Sequence, residues 1–117
     1  MKIYISGKMT GATDLNRPKF ESAEALIRAH GHEPVNPHKL VHDHDQSYEE
    51  FMRVDIEALK KCDAIFLLDD WKESPGALRE VTEALEMKII FFQKFSFLYA
   101  TKWLPELNHQ HIQKSKP

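Results

Sequence analysis

The sequence predicts an α/β fold: a three-layer α/β/α sandwich around a parallel sheet of four to five strands. Three observations predict it. Short, nearly continuous apolar runs read as buried parallel strands, amphipathic helical patterns lie between them, and the 117 residues match the size of one domain. The runs alternate β-α-β-α-β-α-β, and right-handed crossovers then put helices over both faces of the sheet.

Residues 2–6 (KIYIS) form the first strand, rich in β-branched and aromatic side chains. The first helix begins near Arg17-Pro18, because proline suits the first helical position. It runs to His30 with Phe20, Ala23, Leu26 and Ile27 on one face. Gly31 suits a helix end, and a weaker strand at about residues 33–35 stops at Asn36-Pro37. The second helix spans about residues 47–61, and residues 63–68 (DAIFLL) form the third strand. The third helix opens on Ser74 as N-cap with Pro75 behind it and reaches about Glu86; residues 88–92 (KIIFF) are the fourth strand. Residues 93–107 (QKFSFLYATKWLPEL) admit a further helix or strand, and the last ten residues have the polarity of a loose tail. The domain is therefore set at residues 1–105 and the tail at 106–117. In such a flavodoxin/Rossmann-like sheet, ligands bind at the carboxyl ends of the strands, here residues 7–11, 36–37, 69–74 and from 93 onward.

Composition narrows the function classes. With 42% hydrophobic residues, 29% charged residues and a net charge of -2, the chain fits a globular protein and not one that coats long nucleic acid. The opening MKIYISGKMTG lacks the basic start and apolar stretch of a signal peptide. No apolar run approaches the roughly 20 residues that span a bilayer, so a cytoplasmic protein is expected. The single cysteine, Cys62, has no partner for an internal disulfide and reads as a structural thiol.

Two carboxylates break the patterning. On the second helix Tyr48, Phe51, Met52, Ile56 and Leu59 make an apolar stripe, and Asp55 falls inside it. A carboxylate there needs a partner: either a helix-to-loop bond or ion pair, or a ligand cleft that it faces. On the third helix the apolar face is Ala77, Leu78, Val81, Ala84 and Leu85, with Glu80 at its edge and Glu83 and Glu86 facing away. Glu80 reads either as a solvated surface charge or as a group pointing into the cleft, where the helix start would help to hold it ionised.

The loops add candidates. Ser74-Pro75-Gly76 is a helix cap or a phosphate seat, and the loop Gly7-Lys8-Met9-Thr10-Gly11 offers two glycines, a cation and a hydroxyl at the end of the first strand. It is neither a Walker loop nor a G-x-G-x-x-G loop. Asp69 and Trp71, at the end of the third strand, are candidates for substrate binding, Trp71 by stacking on a base or by simple packing. His38, His42 and His44 with Asp43 and Asp45 have metal-ligating side chains, but their spacing matches no zinc pattern. A solvated loop is expected there and no metal site.

Three segments taken together, KIYISGKMTG, MRVDIEAL and DWKESPGALREVTEAL, resemble the nucleoside 2-deoxyribosyltransferase-like superfamily over roughly residues 2–92. Within it the chain resembles a phage-rich branch marked by an S-G-x-M-T-G start and a D-W-x-x-S-x-G-A-x-x-E segment. Better-known members are nucleoside deoxyribosyltransferases and 2'-deoxynucleoside 5'-monophosphate N-glycosidases. The resemblance implies that Glu80, four residues after Gly76, is the nucleophile, and that Asp55 assists at the leaving base. It implies that Ser74 and Gly76 hold a 5'-phosphate, and that Tyr4, Ser6, Gly7, Lys8, Met9 and Thr10 surround the sugar and phosphate. It further implies a homodimer or larger assembly whose sites borrow residues from a neighbour, and a reaction with no metal or organic cofactor. The N-glycosidases carry Ser and Arg where this chain has Lys8 and Thr10, so Lys8 would meet phosphate as a point charge and not as a bidentate fork.

The expected activity is a nucleotide N-glycosidase acting on a (deoxy)nucleoside 5'-monophosphate. The partner is then a small nucleotide or nucleoside and neither long nucleic acid nor a membrane. Nucleoside 2-deoxyribosyl transfer and a non-catalytic nucleotide-binding sensor are the alternatives.

Overall fold

The computed structural model describes residues 1–42 and 47–93. Its principal elements are β1 (Lys2–Ser6), α1 (Arg17–Ala29), β2 (Glu33–Val35), α2 (Tyr48–Leu59), β3 (Ala64–Leu67), α3 (Pro75–Met87) and β4 (Ile90–Phe92). Four strands pair in the order β2-β1-β3-β4, every pair parallel, with Ile3 opposite Pro34 and Ala64, and Ala64 opposite Ile90. A fifth strand would fall beyond residue 93, outside the described residues, as do the tail and Asp43, His44 and Asp45.

Alternation along β1 builds the two flanks of the expected sandwich. Ile3 and Ile5 point to the α1 side, into a core with Phe20, Ala23, Ile27, Phe66 and Phe92; Tyr4 points to the other, into a core with Leu59, Ile65, Leu67, Val81 and Ala84. Strands buried on both faces explain why they read as continuous apolar runs.

The helix starts follow their caps. Ser47 accepts from the Glu50 N–H at 3.2 Å, and Ser74 accepts from the Ala77 N–H at 3.1 Å with Pro75 at the first position of α3. Two expectations need correction. The fourth strand starts at Ile90 and not Lys88, because Lys88 is the left-handed C-cap of α3 (φ 59°). Leu78 and Leu85 are 44% and 62% exposed. The buried positions Ala77, Glu80, Val81 and Ala84 define the inward stripe of α3, and Leu78 and Leu85 lie one residue, about 100°, off it. Tyr48, at the start of the α2 stripe, is also half exposed, with the Arg79 guanidinium 5.6 Å from its ring centroid.

The strand order switches sides between β1 and β3, the two central strands, and their carboxyl ends approach closely at Gly7. A Cβ on Gly7 would sit 2.5 Å from Leu68 Cδ1 and 2.7 Å from Leu68 Cβ. Because the second atom lies next to the backbone, no rotamer change relieves the clash. Gly7→Ala should therefore destabilise the protein by roughly 1–3 kcal/mol in urea unfolding, and a second change of Leu68→Ala, which keeps the Cβ, should not restore it; unchanged stability in Gly7→Ala would contradict this packing.

Candidate active site

The site begins with β1. The residues that alternate towards α2 and α3 are Tyr4 and Ser6, both fully buried, and the inward stripe of α3 sets Glu80 above them. Tyr4 Oη donates to Glu80 Oε2 and Ser6 Oγ donates to Oε1, each at 2.6 Å. Glu80 is only 5% exposed. Burial is the largest influence on its ionisation and pushes its pKa up to about 8; the Ser6 and Tyr4 hydroxyls pull it down by less, and the charge of Asp55 adds to the rise. The helix start does not hold Glu80 ionised, because it lies at the sixth position of α3, beyond the reach of the dipole. Tyr4, raised well above 10.0 by burial and by Glu80, stays a phenol and a donor.

Asp55 approaches from α2, buried between Met52 and Leu59 and 7% exposed. It lies four residues after Phe51, so both side chains present one helix face, and His42 covers that face. The His42 ring stacks on Phe51 with centroids 4.3 Å apart, and its Nε2–H donates to Asp55 Oδ1 at 2.8 Å. Neutral imidazole in that tautomer and imidazolium both supply this proton. Burial raises the Asp55 pKa, and His42 opposes it.

The remaining candidates lie at the carboxyl ends of the strands and the start of α3. Ser74 caps α3, and a Cβ on Gly76 would meet Met52 Sδ at 3.3 Å, Ser74 Oγ at 3.8 Å and Tyr48 Oη at 4.0 Å, so α2 and α3 approach closely there. Trp71 packs on the core that contains Tyr4, with Lys72 Nζ 5.7 Å from its ring centroid. Lys8 Nζ is paired with Glu73 at 3.2 Å, Thr10 is exposed, and Met9 packs against the core on the α1 side. Asp69 is bonded to Lys19 of α1 at 2.9 Å, on the opposite flank from Glu80. The structure thus brings Tyr4, Ser6, Glu80 and Asp55 together, leaves Gly7, Lys8 and Ser74 at the carboxyl ends of β1 and β3 with Gly76 in the first turn of α3, and leads the side chains of Met9 and Asp69 elsewhere.

Three residues escape the sequence reading. His42 was grouped with neighbouring histidines, although its partner is Asp55, thirteen positions on. Asp70 accepts from the Lys8 N–H at 3.0 Å, and Asn16 Nδ2 donates to Asp70 Oδ2 at 2.7 Å and to the Lys8 carbonyl at 2.8 Å. The cue for Asn16 was weak: Asn tolerates left-handed backbone, and Asn16 has φ 65°. A cavity of about 690 Å³ lies on the α1 flank, lined by Pro18, Lys19, Ala23, Leu26, Phe66 and Asp69 among others. Its lining mixes apolar side chains with Lys19, Ser22, Asp69 and Gln93, and Asp69 is paired to Lys19.

Residues 1–91 match the family described as a domain of unknown function, DUF4406, and the chain belongs to that family. No curated protein matches it significantly in sequence. Among solved structures it is similar to a 2-desoxiribosyltransferase from Leishmania mexicana, with a TM-score of 0.61 and 18% identity over 79% of this chain and 62% of that one. It is also similar to a 2-deoxyribosyltransferase from the psychrotolerant bacterium Bacillus psychrosaccharolyticus, with a TM-score of 0.57 and 22% identity over 80% of this chain and 72% of that one. The chain thus has their α/β fold while spanning less than two thirds of the Leishmania enzyme's length.

Glu80 also shapes stability. Its folded pKa is raised from 4.5 to about 8, so the folded state holds the proton more tightly than the unfolded one. This contribution is complete below pH 4.5 and is lost as pH rises through about 8. Glu80→Gln cannot titrate, so its melting temperature relative to that of the parent should climb between pH 4.5 and 8. A difference that stays flat across that window would refute the buried, proton-holding carboxyl.

Proposed function

We propose that the protein hydrolyses the N-glycosidic bond of a (deoxy)nucleoside 5'-monophosphate, with Glu80 as nucleophile and Asp55 as acid/base or orienting group. One observation carries the reading: a buried carboxyl, each of its oxygens held at 2.6 Å by a hydroxyl donor, is electrostatically coupled to a second buried carboxyl. Cleaving C1'–N builds positive charge on the sugar. A carboxylate beneath C1' captures that charge as a covalent ester while the bonding pair leaves with the base. Tyr4 and Ser6 fix the orientation of the attacking group. His42 holds one oxygen of Asp55, and the proton for the departing nitrogen is delivered from the other; burial, which raises the Asp55 pKa, makes the proton available. Water then attacks C1' and gives a proton to the ionised Asp55, which frees the sugar phosphate and restores both Glu80 and Asp55.

Gly7, Lys8, Thr10, Ser74 and Gly76 line the sugar-phosphate end of the site in this reading, and Trp71 faces the base. Met9 and Asp69 contribute no side chain, since one is packed in the α1-side core and the other is bonded to Lys19. The mechanism needs no metal or organic cofactor. Transfer of the deoxyribosyl group to a second base is the next reading, favoured by the shared fold with two 2-deoxyribosyltransferases; it differs only in which acceptor reaches C1'. A homodimer fits the exposed Leu78 and Leu85, seven residues apart on α3, and a single-chain mass in light scattering would remove that part of the proposal.

Chromatography of each nucleoside and 5'-monophosphate incubated with the protein, with and without a free second base, separates the readings. Free base plus sugar phosphate is expected; a new nucleoside means transfer, and binding without product means a sensor. Glu80→Gln should lower turnover at least about a thousandfold, and Asp55→Asn about a hundredfold. Because attack needs the Glu80 carboxylate and departure of the base needs the Asp55 proton, kcat/KM should be bell-shaped in pH; in Asp55→Asn, where only Glu80 of the pair titrates, the residual rate should rise as Glu80 ionises, with a midpoint at or below about 8. Full turnover in Glu80→Gln, or a residual rate in Asp55→Asn that falls as Glu80 loses its proton, would defeat the assigned role.

A further inference from the structure

The loop after β1 is held from two other places in the chain. Gly7 follows Ser6, whose hydroxyl is on Glu80, so the shape of the loop is transmitted to the site directly. Both polar groups of the Lys8 backbone are engaged: its N–H donates to Asp70 Oδ1 at 3.0 Å, and its carbonyl accepts from Asn16 Nδ2 at 2.8 Å. The same Asn16 amide donates to Asp70 Oδ2 at 2.7 Å, closing a three-way junction between the end of β1, the turn before α1 and the end of β3. Asp70 has a side chain only 13% exposed. Burial alone would raise its pKa, but the Lys8 N–H, Asn16 and Lys19 outweigh burial and keep it lowered, so it stays an ionised acceptor.

The turn that delivers Asn16 is unusual. Asp14, Leu15 and Asn16 are consecutive non-glycine residues at φ 52°, 50° and 65°, a region that L side chains avoid. Such backbone persists where surrounding contacts over-determine it. The contacts here are the bonds of the Asn16 amide and that between His38 Nε2 and the Leu15 carbonyl, at 3.0 Å.

We propose that Asn16 and Asp70 are positioning residues that lock the loop of residues 7–11 in one shape and so set how tightly the site takes the sugar-phosphate end of its ligand. The functional half of this inference rests on the reading given under Proposed function; the mechanical half does not. Neither residue needs to touch the substrate. Their effect passes through Lys8 and Gly7, so it should fall on binding and leave the bond-breaking step at Glu80 nearly unchanged.

Asn16→Gly is the first test, because glycine adopts φ 65° freely and only the amide is removed. With the full chain and a 5'-monophosphate that it turns over, KM should rise about tenfold, the scale of losing hydrogen bonds of ordinary strength, while kcat stays within about twofold. Amide hydrogen exchange should speed up at least about tenfold at Lys8 and stay unchanged at Ile5 in the strand core. Asp70→Ala should shift both readouts in the same direction, and it serves if the first variant does not fold. Unaltered exchange at Lys8, equal acceleration at Ile5 and Lys8, or a fall in kcat at constant KM would overturn the proposal. If the wild-type chain turns over no nucleotide or nucleoside, the reading of the site fails, and exchange at Lys8 decides the clamp by itself.

Discussion

A carboxyl group taken out of water has to be met by donors or give up its charge, and the site is organised around that requirement at Glu80. The sheet supplies the donors through its own period of two. With Ile3 and Ile5 committed to the α1 side, Tyr4 and Ser6 necessarily face α3, and the cap at Ser74 fixes which residue of α3 lies above them. The two hydroxyls do not cancel the cost of burial, and the carboxyl is left balanced near pH 8. A group in that state is reactive when ionised and tolerable in the core when protonated.

The second carboxyl acts on the first through its charge and is itself placed by the packing of α2. Asp55 sits where an apolar residue would complete the helix stripe, and it is supported by an imidazole clamped against Phe51. Both carboxyls lie near the carboxyl edge formed by the ends of β1 and β3, where the strand order switches sides, the place at which doubly wound sheets bind ligands. The contact of Gly7 with Leu68 and the junction at Asn16 and Asp70 keep that edge narrow and fixed. Rigidity at the loops and protonation at the core are thus two parts of one arrangement.

Most of the fold was legible because its signals are local. Apolar runs gave the strands to within a residue or two, Ser47 and Ser74 capped the helices that follow them, and Gly31 took the positive φ after α1. Lys88 misled because a lysine before an apolar run looks like a strand start, while the cap geometry of α3 claims it. Leu78 and Leu85 misled because an apolar residue near a stripe is counted with it until the rotation of the helix is known. The site was half legible. Periodicity exposed Asp55 as an anomaly, but it left Glu80 at the edge of its helix face, and only the meeting with Tyr4 and Ser6, more than seventy residues away, shows it to be buried. The partners of His42, Asn16 and Asp70 are likewise set by tertiary contact and leave no spacing to read.

The ionisation of Glu80 is directly observable. Carbon-13 NMR of the protein labelled at glutamate side-chain carboxyls, titrated alongside Glu80→Gln, should show one resonance with a midpoint near 8 that is missing from the variant. In Tyr4→Phe that midpoint should move higher, because a donor that favours the charged form has been removed. If every glutamate instead titrates near 4.5, Glu80 is an ordinary solvated carboxylate, and the account of the site built on its burial is wrong.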